Sequence, residues 1–445
     1  MKKLLQALDR RLMVAIGLTA VGLLAAVLIP NAPHLHTATA GSFPSVACPS
    51  SISGANAYAY LPSSKIGVRS IKKGSLTSSP ARAYRLPVSN PILVNGDPQT
   101  TLFAESANGW WASSICSAGT AESWFVGGSA GLSSAGFVQL VNSGLSDSIV
   151  DLTAFAPAGP RTLSSVTVPA NSELRVPLDT LAPGDDLIAV HAITRSGRIT
   201  AFLFDQRKKG LRALGADFVP AAAAPLTHLV IPGLVNSSAG NGAIAHSVRI
   251  LVPGTVDATV NVTINSTDGA FTPVGLDNLK VAHGQVVDIP LTNLTLNSAF
   301  SVVVDSDRPT LAGVLSLSSK GGADIAWAGS AQPLPRKSSI SINVGGHSPS
   351  LIAFSSDNYG LTITYTLASG ATKSASLSGS GEQIWNSPAA VNRITIESNS
   401  EKVFAALAFT PAKDGSLSYV PLQPGTTLQA ALLPQADARV ISRGQ

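Results

Sequence analysis

A set of alternating strands recurs along this chain with a period near 110 residues, and that repeat limits the fold more than any other feature. One copy reads SIVDLTAF (148–155), VTVPANSELRVPLDTL (166–181), ITRSGRITAFLFD (193–205) and GADFVP (215–220). A second reads ATVNVTIN (258–265), LKVAHGQVVDIPLTNL (279–294), VVDSDRPTLAGVLSL (303–317) and GADIAW (322–327). Val150 corresponds to Val260, Pro177 to Pro290, Arg198 to Arg308 and Asp217 to Asp324, at offsets of 107 to 113. A third, shorter copy has LTITYTL (361–367), IESNSEKVFAALAF (396–409) and GSLSYVP (415–421). In it Lys402 and Ser418 stand 94 residues after Arg308 and Asp324.

Within each copy apolar and polar residues alternate, as in Val260, Val262 and Ile264 against Asn261, Thr263 and Asn265. A period of two rich in Val, Ile and Thr predicts half-buried antiparallel strands. Gly, Pro, Asn and Ser punctuate them at the spacing of a sandwich. A unit of this size buries a core of its own. The expected fold is therefore all-β, with tandem immunoglobulin-like β-sandwich domains at 122–222, 224–334 and 336–425. Residues 30–121 are a linker and β-rich region, either a fourth, divergent domain or extra strands packed on the first. Residues 426–445 form a tail.

Only 12% of residues are charged while 45% are hydrophobic, which excludes a disordered chain. Ser, Thr, Asn and Gly occupy the solvent-facing strand positions, so charged gatekeepers are scarce and edge strands need covering by neighbouring domains or a partner. The net charge of +5 is concentrated at Lys2, Lys3, Arg10 and Arg11, with Lys72-Lys73 and Arg207-Lys208-Lys209 as small clusters. No basic stripe is interleaved with aromatics, so nucleic acid is not an expected partner.

Residues 12–29, LMVAIGLTAVGLLAAVLI, form an uninterrupted apolar stretch, long enough to cross a bilayer as a helix. Basic residues precede it, and no charge follows until Lys65. The positive-inside rule places residues 1–11 in the cytoplasm and the remainder outside. The expectation is a single-pass signal anchor in the cell membrane. Cleavage after Ala38-Thr39-Ala40 is the rival reading, and both export the rest of the chain.

Two cysteines in an exported segment most often pair. A Cys48–Cys116 bridge closes a 68-residue loop and is worth about 4 kcal/mol on chain-entropy grounds. Trp110, Trp111 and Trp124, three of five tryptophans, flank Cys116. They are read either as core aromatics packed on a disulfide or as a candidate glycan-stacking platform.

Chemistry is sparse. Neither His191 nor His283 has the i, i+4 pairing of a zinc helix, and His34-x-His36 lies in the juxtamembrane linker. No nucleophile elbow, phosphate loop or dinucleotide fingerprint is present. The paired carboxylates Asp185-Asp186 and Asp305-Ser306-Asp307 fall in turns, where Asp bonds its local backbone. Asn236, Asn261, Asn265 and Asn293 head N-glycosylation sequons. No catalytic, cofactor or metal residue is assigned, and the chain is read as a non-enzyme.

The combination Trp111-x4-Cys116-x7-Trp124-x2-Gly127-Gly128, followed by the strand-like Phe137–Val141, resembles an uncharacterised family of membrane-anchored, exported actinobacterial proteins, a domain of unknown function. The resemblance implies an envelope location and genes near glycosyltransferases of surface-polysaccharide assembly. It supplies no catalytic residues. Together these features suggest a non-enzymatic cell-envelope protein, a structural or interaction module whose three sandwiches reach on the order of 100 Å end to end. The alternative is a glycan-binding accessory of cell-wall or surface-polysaccharide assembly. An envelope polysaccharide or protein is the expected partner, with the membrane itself engaged through residues 12–29.

Overall fold

The computed structural model describes residues 12–21, 24 and 46–422, except 62–65, 73–74, 81–84, 95–99, 108, 211, 223, 237–243, 293, 295, 297–298, 319–323, 343–347 and 411–415. Residues 12–21 and 24 are helical. Among the described residues no helix is long and apolar enough to cross a membrane. The basic segment 1–11, most of the 22–29 half of the apolar stretch, His34, His36, Ala38–Ala40, Asn293 and the tail 426–445 lie outside the described residues.

Residues Pro44–Thr427 form one unit, built almost wholly of antiparallel strands. Its strand order repeats four times. In 46–118 an inner sheet runs Arg85–Pro87, Asn56–Tyr60, Leu102–Ala107, Trp110–Ile115. In 120–222 the same order is Ser172–Pro177, Phe137–Asn142, Ile199–Lys209, Arg212–Val219. In 226–331 it is Val286–Leu291, Ile244–Leu251, Ala299–Ser318, Asp324–Gly329. In 334–422 it is Thr372–Asn386, Ser350–Leu367, Phe404–Phe409, Ser418–Pro421. Each module also has an outer sheet led by its first strand. These first strands are Val46–Cys48 paired with Ile92–Val94, Glu122–Phe125 with Ala189–Thr194, Leu226–Val235 with Ala299–Ser318, and Lys337–Ser341 with Val391–Ser398. Residues 46–118 are thus a fourth copy of the repeat.

Burial explains why two strand patterns coexist. The outer strand Ala258–Ser266 alternates buried and half-buried residues along its whole length, because its second face meets solvent. The inner strand Asp324–Gly329 is buried at every position, and Phe404–Phe409 at every position but the first. Such continuous apolar runs belong to a sheet covered on both sides. The second cover is a neighbouring module. The core of the first module takes in Val141, Phe202, Phe204 and Phe218 of the second. That of the second takes in Leu315, Ile325 and Trp327 of the third, and that of the third takes in Ile352, Ala408, Leu417 and Tyr419 of the fourth. The core of the fourth is completed by Tyr60, Leu102, Ala104 and Trp111 of the first. The chain of cores closes on itself.

This closure corrects the expectation of an extended stalk. The modules share cores, so the linkers around 220–225 and 333–335 join packed neighbours. A head-to-tail contact that closes after a few copies makes a ring. Here Thr100 N–H donates to Ser339 O at 2.9 Å, sealing the first module to the fourth.

Candidate functional site

The last strands of the four inner sheets, Trp110–Ile115, Arg212–Val219, Asp324–Gly329 and Ser418–Pro421, contact one another in a cycle. Four edge strands meeting away from water would leave main-chain donors without partners. Two carboxylates satisfy them. Asp324 Oδ1 accepts from the N–H groups of Ala216 (3.2 Å) and Ile325 (2.9 Å), and Oδ2 from those of Leu417 (2.9 Å) and Trp111 (3.3 Å). Asp217 Oδ1 accepts from Ser113 N–H (3.2 Å) and Ser418 Oγ–H (3.0 Å), and Oδ2 from Trp327 N–H (2.9 Å). Ser113 and Ser418 hydroxyls are 2.6 Å apart. Thus the equivalent positions Asp217, Asp324 and Ser418 of the sequence repeat converge on one buried cluster. Each Asp324 donor group comes from a different module save its own Ile325.

Burial pushes the carboxyl groups of Asp217 and Asp324 well above the ordinary range, and the donated N–H groups oppose that rise. Gly215 lets the strands approach this closely. It has a φ of 120°, and a Cβ there would lie 2.4 Å from Ile325 N. With every carboxylate oxygen occupied by donors from the strands around it, the cluster works as a lock between modules.

A second lock joins modules two and three. Arg249, fully buried, donates to Gly128 O (2.6 Å), Ile188 O (3.0 Å) and Asp288 Oδ2 (2.9 Å). Its guanidinium lies 4.9 Å from the Trp327 ring centre, and Trp327 Nε1–H donates to Asp205 Oδ2 at 2.9 Å. Gly127 lies against the same ring, where a Cβ would come within 3.0 Å of Trp327 Cδ2 and 2.8 Å of Val219. The Gly127-Gly128 pair of the sequence motif is therefore a docking point for module three, and no helix follows it that could cradle a phosphate.

The three tryptophans of the motif are buried in three different places. Trp110 meets Phe204 edge-on at 5.9 Å, and Trp111 packs on Phe409 at 4.6 Å. Trp124 stacks on His191 at 3.5 Å and donates to Glu122 Oε1 at 2.8 Å. None exceeds 6% exposure, so no open aromatic face joins them. Cys48 and Cys116 are disulfide-bonded, and Trp110 shares their core cluster.

The carboxylates expected in turns are likewise engaged, and Asp305 and Asp307 lie within the strand Ala299–Ser318 where a turn was expected. Asp185 holds Arg161 through two bonds of 2.7 and 2.8 Å, Asp305 pairs with His228 at 2.7 Å, and Asp307 accepts Thr259 N–H at 2.7 Å. His283 pairs with Asp257 at 2.7 Å. Among the described residues no group of three or more His, Cys, Asp or Glu could hold a metal ion.

Sequence reasoning missed a set of buried polar groups, three of which bond to the preceding module. For two of them the signal was a single polar residue inside an apolar run, Gln139 in FVQLV and Arg249 in VRILV, whereas Glu105 in LFAES and Glu382 in GEQIW stand beside further polar residues and carry no such signal. Glu382 accepts from Ser301 Oγ–H of module three at 2.7 Å, while its Oε1 has no partner among the described residues. Burial raises its carboxyl group to about 8 and that of Glu105 to about 7. Burial lowers His246 to about 4.

The signs give a pH profile. A carboxyl raised in the folded state favours the fold below its unfolded value of 4.5, and that contribution is lost as pH climbs through 8. Glu382→Gln keeps an acceptor for Ser301 and cannot ionise. Its urea midpoint should match the parent at pH 4–5 and lie above it at pH 9, with an unfolding free energy higher by on the order of 3–5 kcal/mol. Equal midpoints at pH 9 would show that Glu382 does not carry the alkaline loss. His246 acts in the opposite direction, its contribution falling as pH drops from 6.5 towards 4.

Comparison with solved structures finds a tetra-tandem repeat in the extending region of a large adhesion protein. It is 12% identical and covers 82% of this chain and 92% of that one, at a TM-score of 0.10, too low to support a fold comparison. No curated protein matches. A family of unknown function, DUF5719, matches residues 98–379, a span that starts in module one and ends in module four. It includes both carboxylates Asp217 and Asp324, the Arg249 lock and the Gly127-Gly128 docking point, and ends before Leu417 and Ser418; the chain belongs to that family.

Proposed function

We propose that this protein is a non-enzymatic cell-envelope module. It is anchored by residues 12–29 with its N-terminus in the cytoplasm, and it carries four immunoglobulin-like sandwiches outside the cell, closed into a ring that serves as a rigid structural or interaction body. The cyclic sharing of cores is the observation that supports this reading most. Its described buried polar groups at module boundaries serve assembly, and Asp185, Asp305 and Asp307 are tied to backbone or basic partners, so the fold invests its polar chemistry in rigidity. The apolar stretch and its basic flank support the anchor.

Protease added to intact cells tests the topology. The expected result is digestion of a tag placed after Gln445 and protection of one placed before Met1, with the chain in the membrane fraction. Protection of both tags, or recovery of a soluble chain beginning after Ala40, overturns the anchored arrangement. The glycan-binding alternative no longer has an open tryptophan face in its favour. Retention of the protein on purified envelope glycan should be unaffected by Trp124→Phe, which preserves packing on Phe155. A loss of retention with an unchanged melting point would restore that alternative.

A further inference from the structure

Three modules guard the free edge of the outer sheet, and the fourth does not. In module one the edge strand Ser75–Pro80 ends in proline. Module two splits its edge into Gly159–Pro160 and Ser164–Val168, and module three into Gly269–Phe271 and Leu279–Val281, with Pro273 between. Short, broken and proline-bearing edges resist pairing with other chains. Module four instead presents residues 372–380, TKSASLSGS, as the unbroken outer half of Thr372–Asn386. This segment pairs only with Ser350–Leu367 among the described strands. All nine residues are exposed or half-exposed, and Lys373 is the sole charge.

We propose that residues 372–380 are a pairing edge for a second copy of this chain, which adds antiparallel across a two-fold axis at Ser376. The sequence suits that register. Centring on Ser376 sets Lys373 opposite Gly379 of the other copy, so no like charges face each other and the lysine stem lies over a residue without a side chain. Ala375 faces Leu377, which extends the partly buried row of this face. On the outward face Ser374 meets Ser378 and Ser376 meets Ser376, a ladder of hydroxyls able to donate and accept across the seam. Main-chain bonds provide the attraction, as in other strand additions. One seam of nine residues is a small interface, so the association is weak and concentration-dependent. It joins two rings without using any residue of the inter-module locks.

The test uses the full chain in detergent micelles. Cys48 and Cys116 are paired, so a single introduced thiol reports alone. Ser376→Cys should form a disulfide-linked dimer under mild oxidation. Lys373→Cys, on the same strand but about 20 Å from its own copy at roughly 3.4 Å per residue, should give at least about tenfold less. In sedimentation the unmodified chain should gain mass with concentration. Ser376→Lys, which sets two ammonium groups face to face on the solvent side, should remain a single chain with an unchanged melting point. Equal cross-linking at 373 and 376, a mass that does not rise with concentration, or cross-linking of the Ser376→Cys variant only to a different protein would each overturn the proposal.

Discussion

Truncation after Pro333 is expected to unfold far more than the module it removes. If the repeats were independent beads, deleting the fourth would leave three quarters of the structure intact. In the closed ring the deletion strips Ile352, Ala408, Leu417 and Tyr419 from the core of module three. It also lays bare Tyr60, Leu102, Ala104 and Trp111 of module one. Burying a single large apolar side chain contributes roughly 1.5–3 kcal/mol. With six large side chains among them, losing both patches is comparable to the whole stability of a typical domain, about 5–15 kcal/mol. The truncated chain should bind a dye that reports exposed apolar surface and lose the near-ultraviolet signal of Trp110 and Trp111, which lie far from the cut in sequence. Retention of that signal and a cooperative melt like that of the parent would refute closure.

Asp324→Ala should have the largest effect of any single substitution. It leaves the buried N–H groups of Trp111, Ala216, Ile325 and Leu417 without their carboxylate acceptor. An unsatisfied buried donor costs about 1–3 kcal/mol, so four together cost on the order of 4–12 kcal/mol. Asp324→Asn retains one oxygen and turns an amide donor toward the remaining N–H groups, so it should fall between parent and alanine variant. Urea unfolding at neutral pH ranks the three. A loss below about 1 kcal/mol for Asp324→Ala would mean that water replaces the carboxylate and that the buried cluster is not dry.

How much of this was legible in the chain depended on which face of a strand was in question. The outer strands announced themselves: Val260, Val262 and Ile264 face a core and their neighbours face solvent, a period that needs no knowledge of tertiary contacts. Residues 46–118 were harder. Their strands are short, and Leu102–Ala107 and Trp110–Ile115 are covered on both faces, which erases the alternation that marked the other copies. The tryptophans illustrate the same limit. Their sequence neighbourhood is compatible with a stacking platform. Only the packing places Trp110 on module two, Trp111 on module four and Trp124 against His191. The Asp217, Asp324 and Ser418 equivalence was visible as a repeat and silent as chemistry, because a periodic carboxyl is as readily a turn residue as a buried acceptor.

By itself the sequence determined the all-β class, the repeat and the pairing of Cys48 with Cys116, since each rests on local spacing and composition. Tertiary structure decided the number of modules, their closure and the role of the buried polar groups. The physical reason is that residues such as Leu102 and Leu407, or Trp111 and Asp324, lie hundreds of positions apart and share no local pattern. Their partnership exists only once the inner sheets lose water on their second faces, and that loss is a property of the assembled ring.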